Sequence, residues 1–153
     1  MSDHSSRAPQ APPRLDELLC HLIHSTGFAF NRLYRKPLEK LGLTYPQYLV
    51  LVVLWAEDGL TVGELGDRLR LDSGTLTPLL KRLEAQGVVT RRRSTQDERR
   101  VVISLTEKGD KLRAGAAEVM QCVSGALDLP AGAVVSLTEG LRELRIRLDQ
   151  AAL

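Results

Sequence analysis

Two cysteines, Cys20 and Cys122, are the side chains in this 153-residue sequence best suited to covalent chemistry. A thiol reacts when it is accessible and served by positive charge or hydrogen-bond donors, and it is inert when packed among apolar groups. Helix geometry at 100° per residue helps to separate the two cases. Measured from Leu15, the apolar stripe of the first helical segment centres at about 20–30°, and Cys20 falls at about 140°. Cys122 lies about 110° from the centre of the stripe through Leu112, Ala116, Val119, Met120, Val123 and Leu127. A core cysteine belongs inside its stripe. Both sit beside theirs, which favours reactivity, although a helix buried on more than one face would also accommodate them. Two cysteines are too few for a disulfide framework, and Met1–Pro13, with Pro9, Pro12 and Pro13, lacks the apolar stretch of a secretory signal. The expected compartment is the reducing cytoplasm.

A second kind of chemistry is electrostatic. Residues 81–100 hold Lys81, Arg82, Arg91, Arg92, Arg93, Arg99 and Arg100 against Glu84, Asp97 and Glu98, a local +4 on a chain whose net charge is +2. A basic segment on a near-neutral body is the footprint of a polyanion-binding protein. A solvated arginine-rich face is the plain alternative. No Ser-His-Asp arrangement, phosphate-cradling glycine loop or nucleotide motif appears, so the chain is expected not to be an enzyme. The longest apolar run, Tyr48 to Ala56, is nine residues, whereas a membrane span needs about 20. No membrane partner is expected.

These groups must be positioned by helices and one small β-element. Residues 1–13 are rich in Pro and Ser and read as a disordered tail. From Leu15 the positions 15, 18, 19, 22, 23, 26, 30, 33 and 34, all apolar but Thr26, follow helical spacing. Thr44 caps the next helix, with Gln47 completing a capping box and Pro46 in the first turn. Its interior, Tyr48 to Trp55, is apolar nearly all round and predicts a buried central helix. Thr61 and Glu64 form a second capping box, opening a short helix with Val62, Leu65 and Leu69 inward. Arg70-Leu71-Asp72 leads into another helix, with Leu76, Leu79, Leu80 and Leu83 on one face and Gly87 as its stop. Val88–Thr90 and Val101–Leu105 read as a hairpin around a polar turn at 94–99. Thr106 opens a long helix that Pro130 ends. A last helix carries Leu137, Leu141, Leu144 and Leu148, a seam that wants a partner helix.

Two short helices joined by three residues, followed by a hairpin with a basic tip, make a winged helix-turn-helix. The fold class expected is mainly α with a small β wing. The physics suits double-stranded DNA: a helix fits the major groove while a wing follows the backbone or minor groove. Ser73, Gly74, Thr75, Thr77, Pro78 and Lys81 face away from the leucine stripe and could read bases. Free N–H groups at that helix start suit a phosphate. Arg91 and Arg93 add charge along the wing, and Arg99 is placed for a narrow minor groove. The same fold also serves as a protein-docking module.

The stretch LDSGTLTPLLKRLEAQGVVTRRRSTQDERRVVISLTEKG, Leu71 to Gly109, resembles the recognition helix and wing of the MarR family of dimeric repressors. Its Asp97-Glu98-Arg99 triplet is similar to that family's wing signature. The resemblance implies one domain over 14–153. Residues 14–43 and 107–153 would supply the helices of a homodimer, and 44–106 the winged helix-turn-helix. It also implies that Asp97 and Arg99 belong to the DNA site, that Arg99 enters the minor groove, and that the operator is a pseudo-palindrome.

LLCHLIHSTG and LTYPQYLVLVVLW further resemble the segments that carry the peroxidatic cysteine and its tyrosine partner in OhrR-type organic hydroperoxide sensors. The resemblance implies that Cys20 is the peroxide-reactive thiol and that Tyr34 and Tyr45 donate hydrogen bonds to it across the dimer. Cys122 would then capture the sulfenic acid from the other subunit, releasing DNA. His21 and His24 depart from that pattern. His24, one turn from Cys20, could favour a thiolate as an imidazolium, face solvent, or share a metal with Cys20. Without a further ligand cluster, no metal or cofactor is expected. Two rivals stand beside the redox repressor. One is release by a small phenolic ligand. The other is a thiol peroxidase, for which the threonine expected three residues before the cysteine is replaced by Glu17.

Overall fold

A computed structural model describes residues 13–151. Apart from Pro13, the expected tail lies outside the described residues. The helices are α1 (Leu19–Glu39), α2 (Tyr45–Ala56), α3 (Val62–Leu69), α4 (Ser73–Ala85), α5 (Glu107–Leu127) and α6 (Ala131–Ala151). The strands are β1 (Leu60–Thr61), β2 (Val89–Arg93) and β3 (Val101–Leu105). The architecture is the expected one, helical with a three-stranded antiparallel wing sheet in the order β1-β3-β2.

Both capping boxes form. Thr44 Oγ1 accepts from Gln47 N at 3.4 Å, and Gln47 Oε1 accepts from Thr44 N at 2.9 Å. Thr61 and Glu64 repeat the exchange at 3.3 and 2.8 Å. Each box satisfies N–H groups that a helix start leaves orphaned. The first helix, by contrast, starts at Leu19 rather than Leu15. One tight turn, Leu15–Glu17, precedes it, and Leu18 is extended with no side-chain cap. Apolar spacing alone does not mark a start when no residue caps it.

The core gathers on α2, whose Tyr48, Val50, Leu51 and Leu54 are buried against Leu38, Leu65, Leu76, Leu80, Leu83 and Ile103. Val52 is exposed, so α2 is not covered on every side. The hairpin registers Val89 with Leu105 and Arg93 with Val101, which places Arg91–Arg93 on β2 rather than in the turn. β1 has only two residues, too few for any alternation to reveal it. Two glycines allow close approach. A Cβ on Gly66 would stand 2.8 Å from the Leu71 carbonyl oxygen in the helix-turn-helix, and one on Gly109 would collide with the Val88 carbonyl oxygen.

α6 contributes no buried residue, and Leu137, Leu141 and Leu148 are more than half exposed. The N-terminal half of α1 likewise exposes Leu19, Leu22, Ile23 and Phe28. Ile23 and the α6 leucines 141, 144 and 148 line one groove. The seam thus has no partner within the described chain. Among the described residues no single helix is long and apolar enough to cross a membrane.

Candidate nucleic-acid interface and thiol sites

Helix α4 is held by Leu76, Leu80 and Leu83, all fully buried, so its other face is turned outward. Ser73, Gly74, Thr75, Pro78 and Lys81 are exposed there. Thr77 is half-buried and lines a groove with Arg91, Arg99 and Arg100 from the wing. One expectation needs correction. The start of α4 is not a free phosphate cradle, because Asp72 caps it. Asp72 Oδ1 accepts from Thr75 N at 2.8 Å and Oδ2 from Thr75 Oγ1 at 3.0 Å. These bonds hold the Asp72 carboxyl below its usual value. A carboxylate here occupies the positive helix end that an anion would use.

The wing tip is folded by its own polar groups. Ser94 Oγ accepts from Gln96 N and Asp97 N, Arg100 N donates to Asp97 O, and Arg99 N donates to Asp97 Oδ1 at 3.0 Å. Asp97 therefore shapes the turn that presents Arg99, which is exposed. Arg93 is exposed at the end of β2. Arg91 differs: its guanidinium pairs with Glu84 at 3.4 Å, and its Nε is buried with no hydrogen-bond partner among the described residues. Arg92 and Arg100, also exposed on the wing, join the basic surface although no expectation singled them out. The charge count contained them, but strand pairing was needed to place them. Arg100 and Arg68 help lower the Glu64 carboxyl pKa, after the larger effect of the Thr61 hydrogen bonds.

Both cysteines are exposed and unbridged. Cys20 lies in the first turn of α1. His24 makes an edge-to-face contact with Phe28, with ring centroids 4.6 Å apart. Cys122, on α5, lines a groove with Lys36 and Pro37 at the C-terminal end of α1 and with Lys40 and Leu41 just beyond it. Among the described residues no three His, Cys, Asp or Glu side chains are grouped to hold a metal ion.

Tyr34 and Tyr45 do come together, with ring centroids 4.7 Å apart, and Tyr48 lies 5.8 Å from Tyr34. Burial raises the pKa of all three, so their hydroxyls remain donors at neutral pH. Among the described residues neither Tyr34 nor Tyr45 bonds to Cys20. Tyr34 Oη instead donates to Met120 Sδ at 3.7 Å. Helical periodicity assigned Met120 to the apolar stripe of α5 and carried no sign of this contact with α1.

Comparison with known proteins agrees with this geometry. Residues 32–115 match the family described as transcriptional regulator SarA/Rot. The chain is 48% identical over 141 residues to the HTH-type transcriptional regulator TtmR of Methylorubrum extorquens, covering 92% of this chain and 72% of that protein. It is 47% identical over 112 residues to the organic hydroperoxide resistance transcriptional regulator of Bacillus subtilis, covering 73% and 76%. Among solved structures, reduced AbfR bound to DNA superposes with a TM-score of 0.78 at 35% identity, covering 92% of this chain and 96% of that one. AbfR, from Staphylococcus epidermidis, is also solved in a disulfide form, with a TM-score of 0.62 at 38% identity, covering 86% and 92%.

Proposed function

The chain belongs to the SarA/MarR-type winged-helix family of transcriptional regulators, and from that premise we propose that it is a dimeric DNA-binding repressor which organic hydroperoxides release from its operator through Cys20. The observation that carries this reading is the pair of exposed thiols on α1 and α5, together with a buried tyrosine cluster whose hydroxyls are kept protonated.

In this reading two copies pair through residues 14–43 and 107–153, which covers the exposed faces of α1 and α6. Each copy sets α4 in a major groove, with Ser73, Gly74, Pro78 and Lys81 toward the bases and Thr77 at the groove edge. The wing lays Arg92, Arg93 and Arg99 along the backbone and minor groove. Thr75, engaged by Asp72, aligns the helix start, and Asp97 presents Arg99. A cytoplasmic location follows from acting on DNA in the cell.

The chemistry is a two-step thiol oxidation. The Cys20 thiolate attacks the terminal oxygen of the hydroperoxide, the O–O bond breaks, and the alkoxide leaves as the alcohol after taking a proton. Cys20 is then a sulfenic acid. Cys122 of the partner subunit attacks that sulfur; the hydroxyl leaves as water, and an intersubunit disulfide forms. Tyr34 and Tyr45 would stabilise the thiolate by donating across the dimer. A disulfide needs Cα atoms about 5.5–6 Å apart, so closing it moves the helices that carry the reading heads.

The test is a band-shift on DNA upstream of the protein's own gene, with and without one equivalent of an organic hydroperoxide, beside a non-reducing gel. Wild type is expected to release DNA and run as a covalent dimer. Cys20→Ser is expected to stay bound and uncrosslinked. Cys122→Ser is expected to react at Cys20, form no crosslink and proceed to sulfinic acid. Release of Cys20→Ser by peroxide, as fast as wild type, would overturn the assignment.

A further inference from the structure

We propose that Arg70 is a positioning residue: through its ion pair with Asp149 it holds the reading helix α4 at a fixed angle to α6. Arg70 Nη1 donates to Asp149 Oδ2 at 2.7 Å, across 79 positions of sequence. Among the described residues it is the only ion pair or side-chain hydrogen bond between α6 and the rest of the chain. α6 contributes no buried residue, so apolar packing supplies little of that connection. The two side chains are 54% and 49% exposed, and a pair this open adds little stability. What it can supply is direction.

The backbone at Arg70 points to the same role. Arg70 closes α3 with φ 54° and ψ 43°, the left-handed conformation that glycine adopts without steric cost. An arginine there carries strain, and its side chain is the one that reaches Asp149. The turn that follows is closely held. Arg70 N and Leu71 N both donate to the Gly66 carbonyl, the second at 3.0 Å. Asp72 then caps α4, so only two residues separate Arg70 from Ser73, the first of that helix. Asp149 lies about 110° around α6 from the centre of the seam through Leu137, Leu141, Leu144 and Leu148. A partner helix laid on that seam leaves the Asp149 side to Arg70, so pairing of two copies and the hold on α4 use different faces. The inference rests on the dimeric DNA-binding part of the proposed function and on neither thiol. Two reading helices must meet half-sites at fixed spacing, so their angle to the dimer helices sets affinity.

The first test needs neither DNA nor peroxide. In the full chain with Cys20→Ser/Cys122→Ser, nitroxide labels are placed on α4 at Lys81→Cys and on α6 at Glu139→Cys, which is exposed and faces away from the seam. Labelled protein is diluted in unlabelled protein, and pulsed electron resonance measures the distance distribution within one chain. Arg70→Gly, which relieves the backbone strain while removing the pair, is expected to widen the distribution by about half or more, given the modest strength of an exposed pair. Arg70→Asp/Asp149→Arg, which reverses the pair, is expected to narrow it again. Thermal unfolding checks that each variant is folded, and Arg70→Gly is expected to melt no lower than wild type. The second test measures anisotropy of the reduced, unlabelled protein on DNA upstream of its own gene. Asp149→Asn keeps the Arg70 charge but breaks the pair, and it is expected to weaken binding about two-fold or more as fewer heads are correctly set. An unchanged distance distribution in Arg70→Gly would overturn the proposal, as would a folded reversed pair that stays as wide as Arg70→Gly. Asp149→Asn binding as tightly as wild type, or more tightly, would also overturn it and leave Arg70 as a phosphate contact. Failure of wild type to bind the duplex would count against the repressor reading, while the distance measurement would still decide this one.

Discussion

At the scale of single residues, the wing separates arginines that are free from those that are committed. Arg99 is exposed, and its backbone is held by Asp97, so its side chain has DNA as its intended partner in the repressor reading. Arg99→Ala is expected to weaken operator binding about ten-fold or more and to relax preference at an A/T-rich flank. Fluorescence anisotropy on operators with altered flanks reads both effects. Arg91, paired with Glu84, contributes to the packing of β2 on α4 instead. Asp72 offers a pH test. Its carboxyl is held below the ordinary 3.8 by hydrogen bonds from Thr75 that favour the charged form. Its contribution to stability is therefore complete above that value and is lost as pH falls through the lower folded-state value. Asp72→Asn keeps an acceptor but cannot titrate, so its acid unfolding curve is expected to be flatter below pH 3.8 than that of wild type.

At the scale of elements, the junction between wing and α5 depends on close approach. Gly109 is buried, its carbonyl accepts from Trp55 Nε1 at 3.0 Å, and the space a Cβ would need is filled by the Val88 carbonyl oxygen. Backbone cannot move aside as a flexible side chain can. Gly109→Ala is expected to cost about 1–3 kcal/mol or more, because the start of α5 must shift away from β2. Gly125 lies in the same helix with nothing within 4 Å of its Cβ position. Gly125→Ala is expected to stabilise by up to about 1 kcal/mol through helix propensity. Thermal unfolding of the pair measures both, and equal effects would remove packing from the explanation.

At the scale of the whole molecule, charge and exposed leucines act together. In the repressor reading each copy brings a +4 segment at residues 81–100, and pairing doubles the number of phosphates engaged. Affinity for the operator is expected to fall roughly 10³–10⁵-fold between 50 and 200 mM salt. A nearly flat dependence, measured by anisotropy across that range, would point to a winged helix that docks protein instead. Within one copy, α6 is tied to the helix-turn-helix by Arg70 and Asp149 at 2.7 Å. Arg70 stands in the turn two residues before the cap of α4.

The sequence by itself determined the local structure. Thr44, Thr61 and Thr106 marked helix starts because a hydroxyl at an N-cap acts only on the next turn, and leucine spacing marked inner faces because helical periodicity is a property of the chain alone. Places beside the apolar stripes favoured exposed cysteines, but the stripe of α1 is itself exposed at Leu19, Leu22 and Ile23, so the exposure of Cys20 reflects an uncovered helix half rather than its face. Relations between distant segments were decided by tertiary structure. Strand β1 is too short to carry a period, and β2 extends through three arginines because β3 pairs with them. The start of α4 read from sequence as an anion site, and only the folded structure showed the Asp72 carboxylate occupying it through Thr75. The bond from Tyr34 to Met120 joins residues 86 positions apart. No periodicity reports such a contact, because it depends on how α1 and α5 cross once the tyrosine cluster has packed.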